Sequence, residues 1–221
     1  MVIFLTALLQ WLTWLEPTGA GVLRGRPFGG VAALIKDSLR LFTVTVVSED
    51  RFCVIKIGDL LLCNVYLPCV GTPDRSVICN STLLDIWSYR ELYPDCKCLI
   101  TGDFNVNLAV YSDISASVNN FIQSRNLCRC DIVFNNNACT YVNDALNHQS
   151  NIDYSLCSNV AKLISFEVID PPVNLSDHLP LLTICFCNLN STVDDNTDHN
   201  ADSIKAAPAV VKLRWDHADL S

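Results

Sequence analysis

Short apolar runs alternate with polar turns along most of the chain, and this pattern predicts a protein built mainly of strands. Runs rich in Val and Leu predict strands at residues 29–35 and 41–47. Residues 51–68 form a longer run that Gly58-Asp59 interrupts, which predicts two strands joined by a tight hairpin. Further strands are predicted over residues 98–104, 140–142, 152–157, 165–169 and 179–186.

Two segments follow a helical period instead. One runs from Arg75 to about Tyr93, before Pro94, and the other runs from Ser112, which suits an N-cap, to about Arg125. Their apolar positions fall near a helical period: Ile78, Leu83, Ile86 and Trp87, then Ile114, Val118, Phe121 and Ile122. Hairpin-linked strands with two intervening helices predict an α/β sandwich of two mainly antiparallel sheets, with the helices packed outside.

The composition suits one hydrophobic core rather than two. The chain has 221 residues, of which 50% are apolar, and 12 cysteines. The cysteines lack the paired spacing of a structural zinc site. We therefore interpret them as small buried apolar side chains, with disulfides or metal binding as the alternatives.

The charge argues against a broad basic groove of the kind that many nucleic-acid-binding proteins carry. The net charge is −8, and residues 188–202 hold four aspartates with no Lys or Arg, which is typical of a solvated linker. A mildly acidic body remains compatible with a metal-dependent site that acts on a polyanion.

The first 15 residues are apolar enough to resemble the core of a signal peptide. They have no basic residue before that core, and the run is too short for a membrane span. We therefore expect an intracellular protein with no membrane partner, and secretion is disfavoured.

Carboxylates stand at the ends of several apolar strands, where an ionised group requires a cation, a donor or a function. Asp103 and Asn105 follow one strand and flank Phe104, so both can share one side while Phe104 enters the core. Such an aspartate can orient a water, and such an asparagine can hold a phosphate oxygen. A turn stabilised by Asx side chains is the alternative interpretation.

Three further strand positions carry candidate chemistry. Asp153 alternates with Ile152 and Tyr154, which can face the core, although a charge on an edge strand is the alternative. Asp177 and His178 precede the last strand and offer an oxygen ligand beside an imidazole. Tyr66 ends another strand and can offer its hydroxyl to a phosphate, or it is an ordinary core tyrosine.

Taken in chain order, these motifs resemble the endonuclease/exonuclease/phosphatase superfamily. Residues 64–68 read NVYLP, residues 102–105 GDFN, residues 150–154 SNIDY and residues 176–178 SDH, and the resemblance covers about residues 29–186. The SNIDY form and the run GRPFGGVAALIKDSL resemble the endonuclease domain of non-LTR, LINE-like retrotransposons. The ending LRWDHADLS is similar to the linker that follows that domain, ahead of the reverse transcriptase.

The resemblance implies a fold, an activity and partners. The fold would be a four-layer α/β sandwich like that of DNase I, in residues 21–187, preceded by an atypical segment (1–20) and followed by an acidic linker (188–221). The activity would be hydrolysis of phosphodiesters or phosphomonoesters with Mg²⁺ or Mn²⁺. The partner would be DNA, in the nucleus, with no small-molecule cofactor and with a reverse transcriptase region downstream.

The resemblance also implies roles for individual residues. His178 would contact the scissile phosphate or transfer a proton, supported by Asp153, and Asp177 would lie at the metal. Asp103 would position or deprotonate the attacking water. Phosphate contacts would come from Asn105 and Tyr66, while Thr140 and Ser150 would lie on the DNA-binding face.

The chain departs from the superfamily at its start. The family places an Asn on its first strand and a metal-binding Glu, usually after Gln, at the end of its second. Here Gln10 is followed by Trp11, and Glu16 lies six residues further on. We therefore expect an N-terminally truncated domain whose activity is open. The alternatives are a non-catalytic remnant, a phosphatase of the same superfamily, or a secreted DNase. The last of these requires the cysteines to form disulfides.

Overall fold

The computed structural model describes residues 2–6 as a strand, and it describes residues 30–172, 174 and 176–189 with their side chains. The interpretations of Gln10, Trp11 and Glu16, and those of residues 190–221, lie outside the described residues. The domain limits stated above therefore stay predictions.

Eleven strands and three α-helices make up the described residues. The strands are β1 Val2–Thr6, β2 Thr43–Ser48, β3 Phe52–Ile57, β4 Leu60–Tyr66, β5 Lys97–Asp103, β6 Cys128–Arg129, β7 Tyr141–Asn143, β8 His148–Ser150, β9 Asp153–Cys157, β10 Leu163–Val168 and β11 Leu181–Cys185. The α-helices are α1 Arg75–Glu91, α2 Asp113–Ser124 and α3 Cys130–Val133, and short 3₁₀ helices cover Asp37–Phe42, Asp144–Leu146 and Val160–Lys162. None of the helices in this part of the chain is long and apolar enough to cross a membrane.

The strands form two main sheets and a small hairpin. The larger sheet has the order β2-β3-β4-β5-β9-β6, the smaller one β1-β11-β10, and β7 pairs with β8. Every pair is antiparallel except β4 with β5, which α1 connects as a crossover. The predicted α/β sandwich of two mainly antiparallel sheets is confirmed.

The two faces of the larger sheet carry two different cores. One face packs against α1 and α2, through Val54, Leu61 and Ile100 among others. The other face packs against β10 and β11, where Ile55, Leu62 and Leu99 meet Phe166 and Leu181. Because β3 and β4 are covered on both sides, their sequences read as nearly continuous apolar runs.

Local turn and cap chemistry is confirmed in two places. Ile57 pairs with Leu60 across Gly58-Asp59, as a two-residue hairpin requires, and Gly58 has φ of +54°. Ser112 caps α2, because its hydroxyl accepts a hydrogen bond from the backbone N–H of Ser115.

The predicted strand over residues 29–35 is wrong for its described part. Residues 30–36 have no regular structure, and the chain then enters the 3₁₀ helix Asp37–Phe42. Val31 and Ile35 pack against the core between the sheets, and Asn64 ties this segment down by donating to the carbonyl of Ala32. Leu34 is 80% exposed, so only part of this apolar run is packed on the core, and none of it pairs as a strand.

The cysteines match their interpretation as apolar side chains. All 12 lie in the described residues as free thiols, and eight of them are buried. Burial raises the pKa of several of these thiols, including Cys185, whose pKa rises to about 12.

Gly102 is expected to be intolerant of any side chain. It has φ of +141°, and a Cβ there would lie 2.0 Å from the carbonyl oxygen of Val65 on β4. We expect Gly102→Ala to lower the free energy of unfolding by about 3 kcal/mol or more, from clash and backbone strain together. Urea unfolding measures this loss.

Gly71→Ala is the matched control for Gly102→Ala. Gly71 also has a positive φ, +89°, but a Cβ there would meet nothing within 4 Å. Its cost should be backbone strain alone, about 1 kcal/mol. Equal losses in the two variants would contradict the steric account of Gly102.

Candidate active site

The candidate side chains share one row across the end of the larger sheet. Tyr66, the last residue of β4, is the register partner of Asp103, the last residue of β5. Asp103 in turn lies opposite Asp153, the first residue of β9. Residues in one row point to the same face of a sheet, here the face toward β10 and β11. The pairing thus places two carboxylates and a phenol side by side.

The GDFN turn holds the carboxylate of Asp103 in place. Phe104 is fully buried with its ring edge-on to Tyr154 at 5.6 Å, which anchors the turn in the core. Asn105 adopts φ of +52°, and its backbone N–H donates to Asp103 Oδ1 at 2.7 Å. Its side-chain Nδ2 donates to Asp103 Oδ2 at 2.8 Å and to the carbonyl of Leu67 at 2.7 Å. Asn105 therefore orients the carboxylate of Asp103. The turn stabilised by Asx side chains and the candidate catalytic turn, which the sequence offered as alternatives, are the same turn.

His178 and Asp153 form a buried hydrogen-bonded pair. The His178 Nδ1 atom lies 2.9 Å from Asp153 Oδ2 and 3.1 Å from Oδ1. Only 8% of His178 and 2% of Asp153 are exposed. β6 pairs with β9 only at Leu156 and Cys157, and at Asp153 the backbone N–H donates instead to the hydroxyl of Thr140, so this end of β9 is also covered. A carboxylate there holds the imidazole in one orientation and favours its protonated form.

The loop before β11 fixes the backbone of His178 from the other side. Its N–H donates to the hydroxyl of Ser176 at 3.1 Å, and its carbonyl accepts from the amide of Asn174 at 3.0 Å. The ring of Tyr141 meets the imidazole edge-on, with ring centroids 5.1 Å apart. These contacts give the imidazole a defined place before any ligand binds.

Thr140 links the two members of the pair. It is 1% exposed, and its hydroxyl oxygen accepts hydrogen bonds from the backbone N–H groups of Ile152 and Asp153, each at 3.0 Å. Its carbonyl accepts from the N–H of Leu179 at 2.7 Å, next to His178. Thr140 thus positions the strand of the aspartate and the loop of the histidine at once.

The pKa of His178 is raised above its ordinary value of 6.5. Burial of the ring lowers the pKa, but the hydrogen bond and charge of Asp153, together with the charges of Asp103 and Asp177, outweigh burial. Near neutral pH the imidazole therefore holds its proton more readily than an exposed histidine does.

An NMR titration of the metal-free protein should give His178 a pKa above 6.5, and Asp153→Asn should bring it below 6.5, because burial then acts without its main counter-charge. The raised pKa stabilises the fold fully below pH 6.5, and that contribution is lost as the pH rises through the folded-state value. A parent pKa at or below 6.5 would contradict this account.

Tyr66 and Ser150 lie at the rim of the site. Tyr66 is half-buried, and burial followed by the charge of Asp103 raises the pKa of its phenol, which therefore stays protonated as a donor. Ser150 ends β8, and its hydroxyl accepts a hydrogen bond from the side chain of Asn107 at 3.4 Å. The small hairpin of β7 and β8 thus flanks the GDFN turn.

A group of oxygen and nitrogen atoms able to hold a cation lies at the centre of the site. One ligand atom each of Asp103, Asp153 and His178 lie within 4.8 Å of one another, and all three residues are buried. Carboxylate oxygens keep acceptor capacity beyond the hydrogen bonds described above. This donor set fits a divalent metal ion, and a hard cation would favour the carboxylates over the imidazole. Asp177, half-buried beside this group, acts on the pKa of His178.

Sequence reasoning missed Arg75, which supports the site from α1. Its guanidinium donates to the carbonyls of Pro68 and Asn105, and so ties the loop after Tyr66 to the GDFN turn. A cation in the first turn of a helix interacts unfavourably with the helix dipole. This unusual placement of Arg75 was the one sequence feature that could have indicated a role outside the helix. Tyr141 gave no local signal, because its contact with His178 is purely tertiary.

Comparisons with known proteins identify the fold. No family model matches the chain, and no curated protein matches it. Among solved structures, the endonuclease domain of TRAS1, a telomere-specific non-LTR retrotransposon, aligns with a TM-score of 0.53 at 16% identity, over 65% of this chain and 68% of that one. A 3′ phosphatase from Neisseria bound to product DNA hairpin aligns at 0.49 and 15%, over 64% and 66%. An AP endonuclease from Archaeoglobus fulgidus aligns at 0.48 and 17%, over 62% and 65%.

The first of these alignments, together with the sheet order described above, shows that the chain has the DNase I-like fold. The chain spans about two thirds of the length of each of these structures. A shared fold does not imply a shared activity, so the function of this chain depends on the residues of its own site.

Proposed function

We propose that this chain is a metal-dependent DNA endonuclease domain of the non-LTR retrotransposon type, which hydrolyses a phosphodiester. The observation that carries the proposal is the buried Asp153–His178 pair beside Asp103 in one row of the sheet. Burying this much charge is costly unless it serves a purpose. Buried groups with charged partners are also typical of functional sites. The DNase I-like fold supports the assignment to phosphate chemistry.

The residues suit a one-step hydrolysis. Water adds to phosphorus, the bond from phosphorus to the leaving O3′ breaks, and the leaving oxygen takes up a proton. Asp103, held by Asn105, orients the water and accepts its proton. Since Asp153 occupies Nδ1 of His178, the other ring nitrogen serves the phosphate, and the raised pKa keeps a proton available there.

Mg²⁺, or Mn²⁺ in its place, would be held by the carboxylate of Asp103 from the donor group described above, and the resemblance adds Asp177, which lies near His178. Asp153 is left to pair with His178. The ion would offset the negative charge that develops on the phosphate. The phenol of Tyr66 would donate to a phosphate oxygen. Both N–H groups of the Asn105 amide already donate to Asp103 and Leu67, so we assign Asn105 to positioning the acid. Ser150 would lie on the DNA side of the hairpin. DNA as the substrate, a nuclear site of action and a reverse transcriptase region downstream complete the proposal.

Nicking of supercoiled plasmid in Mg²⁺ tests the function directly. The parent chain should convert supercoiled to open-circular DNA, EDTA should stop the reaction, and His178→Ala should lose it. A second assay follows phosphate release from a 3′-phosphorylated oligonucleotide. Release without nicking would replace the endonuclease by the phosphatase alternative. Activity in neither assay from a cooperatively folded chain would favour the non-catalytic remnant.

A further inference from the structure

The row that carries the active site continues by one more residue. Arg51 precedes β3, where Phe52 is the register partner of Val65, so Arg51 falls opposite Tyr66. The backbone N–H of Tyr66 donates to the carbonyl of Arg51 at 2.8 Å, which locks the two residues side by side. Arg51, Tyr66, Asp103 and Asp153 therefore stand on neighbouring strands at the same end of the sheet.

The guanidinium of Arg51 lies over the ring of Tyr66. Its central carbon is 5.8 Å from the ring centroid, close enough for a cation–π contact. Its charge also lowers the pKa of the phenol, against the larger effects of burial and Asp103. The cation is thus held at the rim of the site by a residue that we place in the phosphate contacts.

Arg51 differs from the arginines that serve the fold. Arg75 and Arg90 donate to backbone carbonyls, Arg125 lies by Glu91, and Arg129 pairs with the buried Asp131. Among the described residues, the guanidinium of Arg51 makes its contact with the ring of Tyr66 and has no carboxylate partner, although Glu49 and Asp50 are near in sequence. Arg51 is partly exposed, so its donors are within reach of a ligand beside the site.

We infer that Arg51 binds a phosphate of the DNA substrate next to the scissile one. This inference rests on the proposed function. Three inter-strand spacings, about 14 Å, separate the backbone of Arg51 from that of Asp153. The guanidinium lies over Tyr66 and not at the Asp153–His178 pair, so we place it on a different phosphate from the one at His178. The acidic body offers the flanking phosphates little attraction, and a guanidinium fork matches phosphate geometry. The stacking on Tyr66 pre-orients that fork.

Fluorescence anisotropy with a fluorescein-labelled DNA duplex tests the inference. Binding is measured between 50 and 200 mM salt in the full chain carrying His178→Ala, so that Mg²⁺ can be present without cleavage. Adding Arg51→Ala should lower the slope of log K against log salt by about 0.9, the value for one lost phosphate contact. Affinity at low salt should fall about tenfold, and Arg51→Lys should keep most of the slope because it keeps the charge.

Arg40→Ala is the matched control. Arg40 is exposed in the 3₁₀ helix at the opposite end of the sheet, where Phe42 accepts from Gly58 of the β3–β4 hairpin. It removes the same charge and should leave the slope unchanged. Should Arg51→Ala fail to unfold cooperatively in urea, Arg51→Gln keeps the stem over Tyr66 while removing the charge.

The outcomes separate the two claims. If the His178→Ala chain binds duplex, and adding Arg51→Ala or Arg51→Gln leaves the salt slope unchanged, the inference is overturned and the proposed function stands. Equal slope losses in Arg40→Ala and Arg51→Ala would also overturn it, since the effect would then be one of net charge. A parent chain that binds no DNA would overturn both.

Discussion

His178→Ala is expected to lower the rate of plasmid nicking by about 10²–10⁴-fold, the range typical of losing a positioned general acid or base. The carboxylate of Asp153 holds Nδ1 of His178 and raises the pKa of the imidazole, so the ring keeps a proton near neutral pH and its other nitrogen is oriented away from Asp153. Alanine removes this proton donor and leaves the carboxylate of Asp153 without its partner. Single-turnover nicking at saturating Mg²⁺ isolates the chemical step.

The same substitution should cost about 1–3 kcal/mol of stability, because Asp153 is 2% exposed and loses its hydrogen-bond partner. A domain of ordinary stability survives such a loss, so urea unfolding should still be cooperative. His148→Ala is the matched control: His148 is exposed, and its ring meets Tyr141 at 6.0 Å. It should nick within a few-fold of the parent. Parental nicking by His178→Ala would remove the pair from the mechanism.

Asp103→Asn is expected to lower nicking by about 10²–10³-fold, comparable to removing one preorganised electrostatic group from an active site. The change is isosteric and removes only the charge and the basicity. The amide can still accept from the backbone N–H of Asn105, but its own NH₂ then faces the Asn105 Nδ2 that donated to the carboxylate. The loss is therefore of both a proton acceptor and its alignment.

The Mg²⁺ dependence of Asp103→Asn tells its two roles apart. If Asp103 mainly activates the water, raising the Mg²⁺ concentration should not restore the rate. Recovery at high Mg²⁺ would instead assign Asp103 to holding the metal. Asp131→Asn is the control for removing a buried carboxylate elsewhere: Asp131 pairs with Arg129, so its loss should reduce stability without a comparable fall in the nicking rate of the folded protein. A rate within threefold of the parent for Asp103→Asn would contradict its role in the site.

The structure also explains why the first predicted strand failed while the others held. Residues 30–36 contain the apolar side chains of a strand, but Val31 and Ile35 pack on the core without joining a ladder, and Leu34 is exposed. Apolar patterning reports which side chains are buried, whereas strand formation also needs a partner with free backbone groups. The capped helix and the hairpin were predictable because Ser112 and Gly58-Asp59 act on their own neighbours.

The sequence by itself determined the local elements and which polar residues lie near their ends: Asp103 and Tyr66 near the ends of strands, Asp153 near the start of one, and Asp177 and His178 before another. These assignments depend on periodicity and turn chemistry within a few residues. Only the tertiary structure decided that Tyr66, Asp103 and Asp153 share one row and that His178 reaches Asp153 from the loop before β11. It also decided that Thr140 and Arg75 support them. Strand order and register are set by burial across the whole core, so distant segments meet for reasons that no local pattern carries.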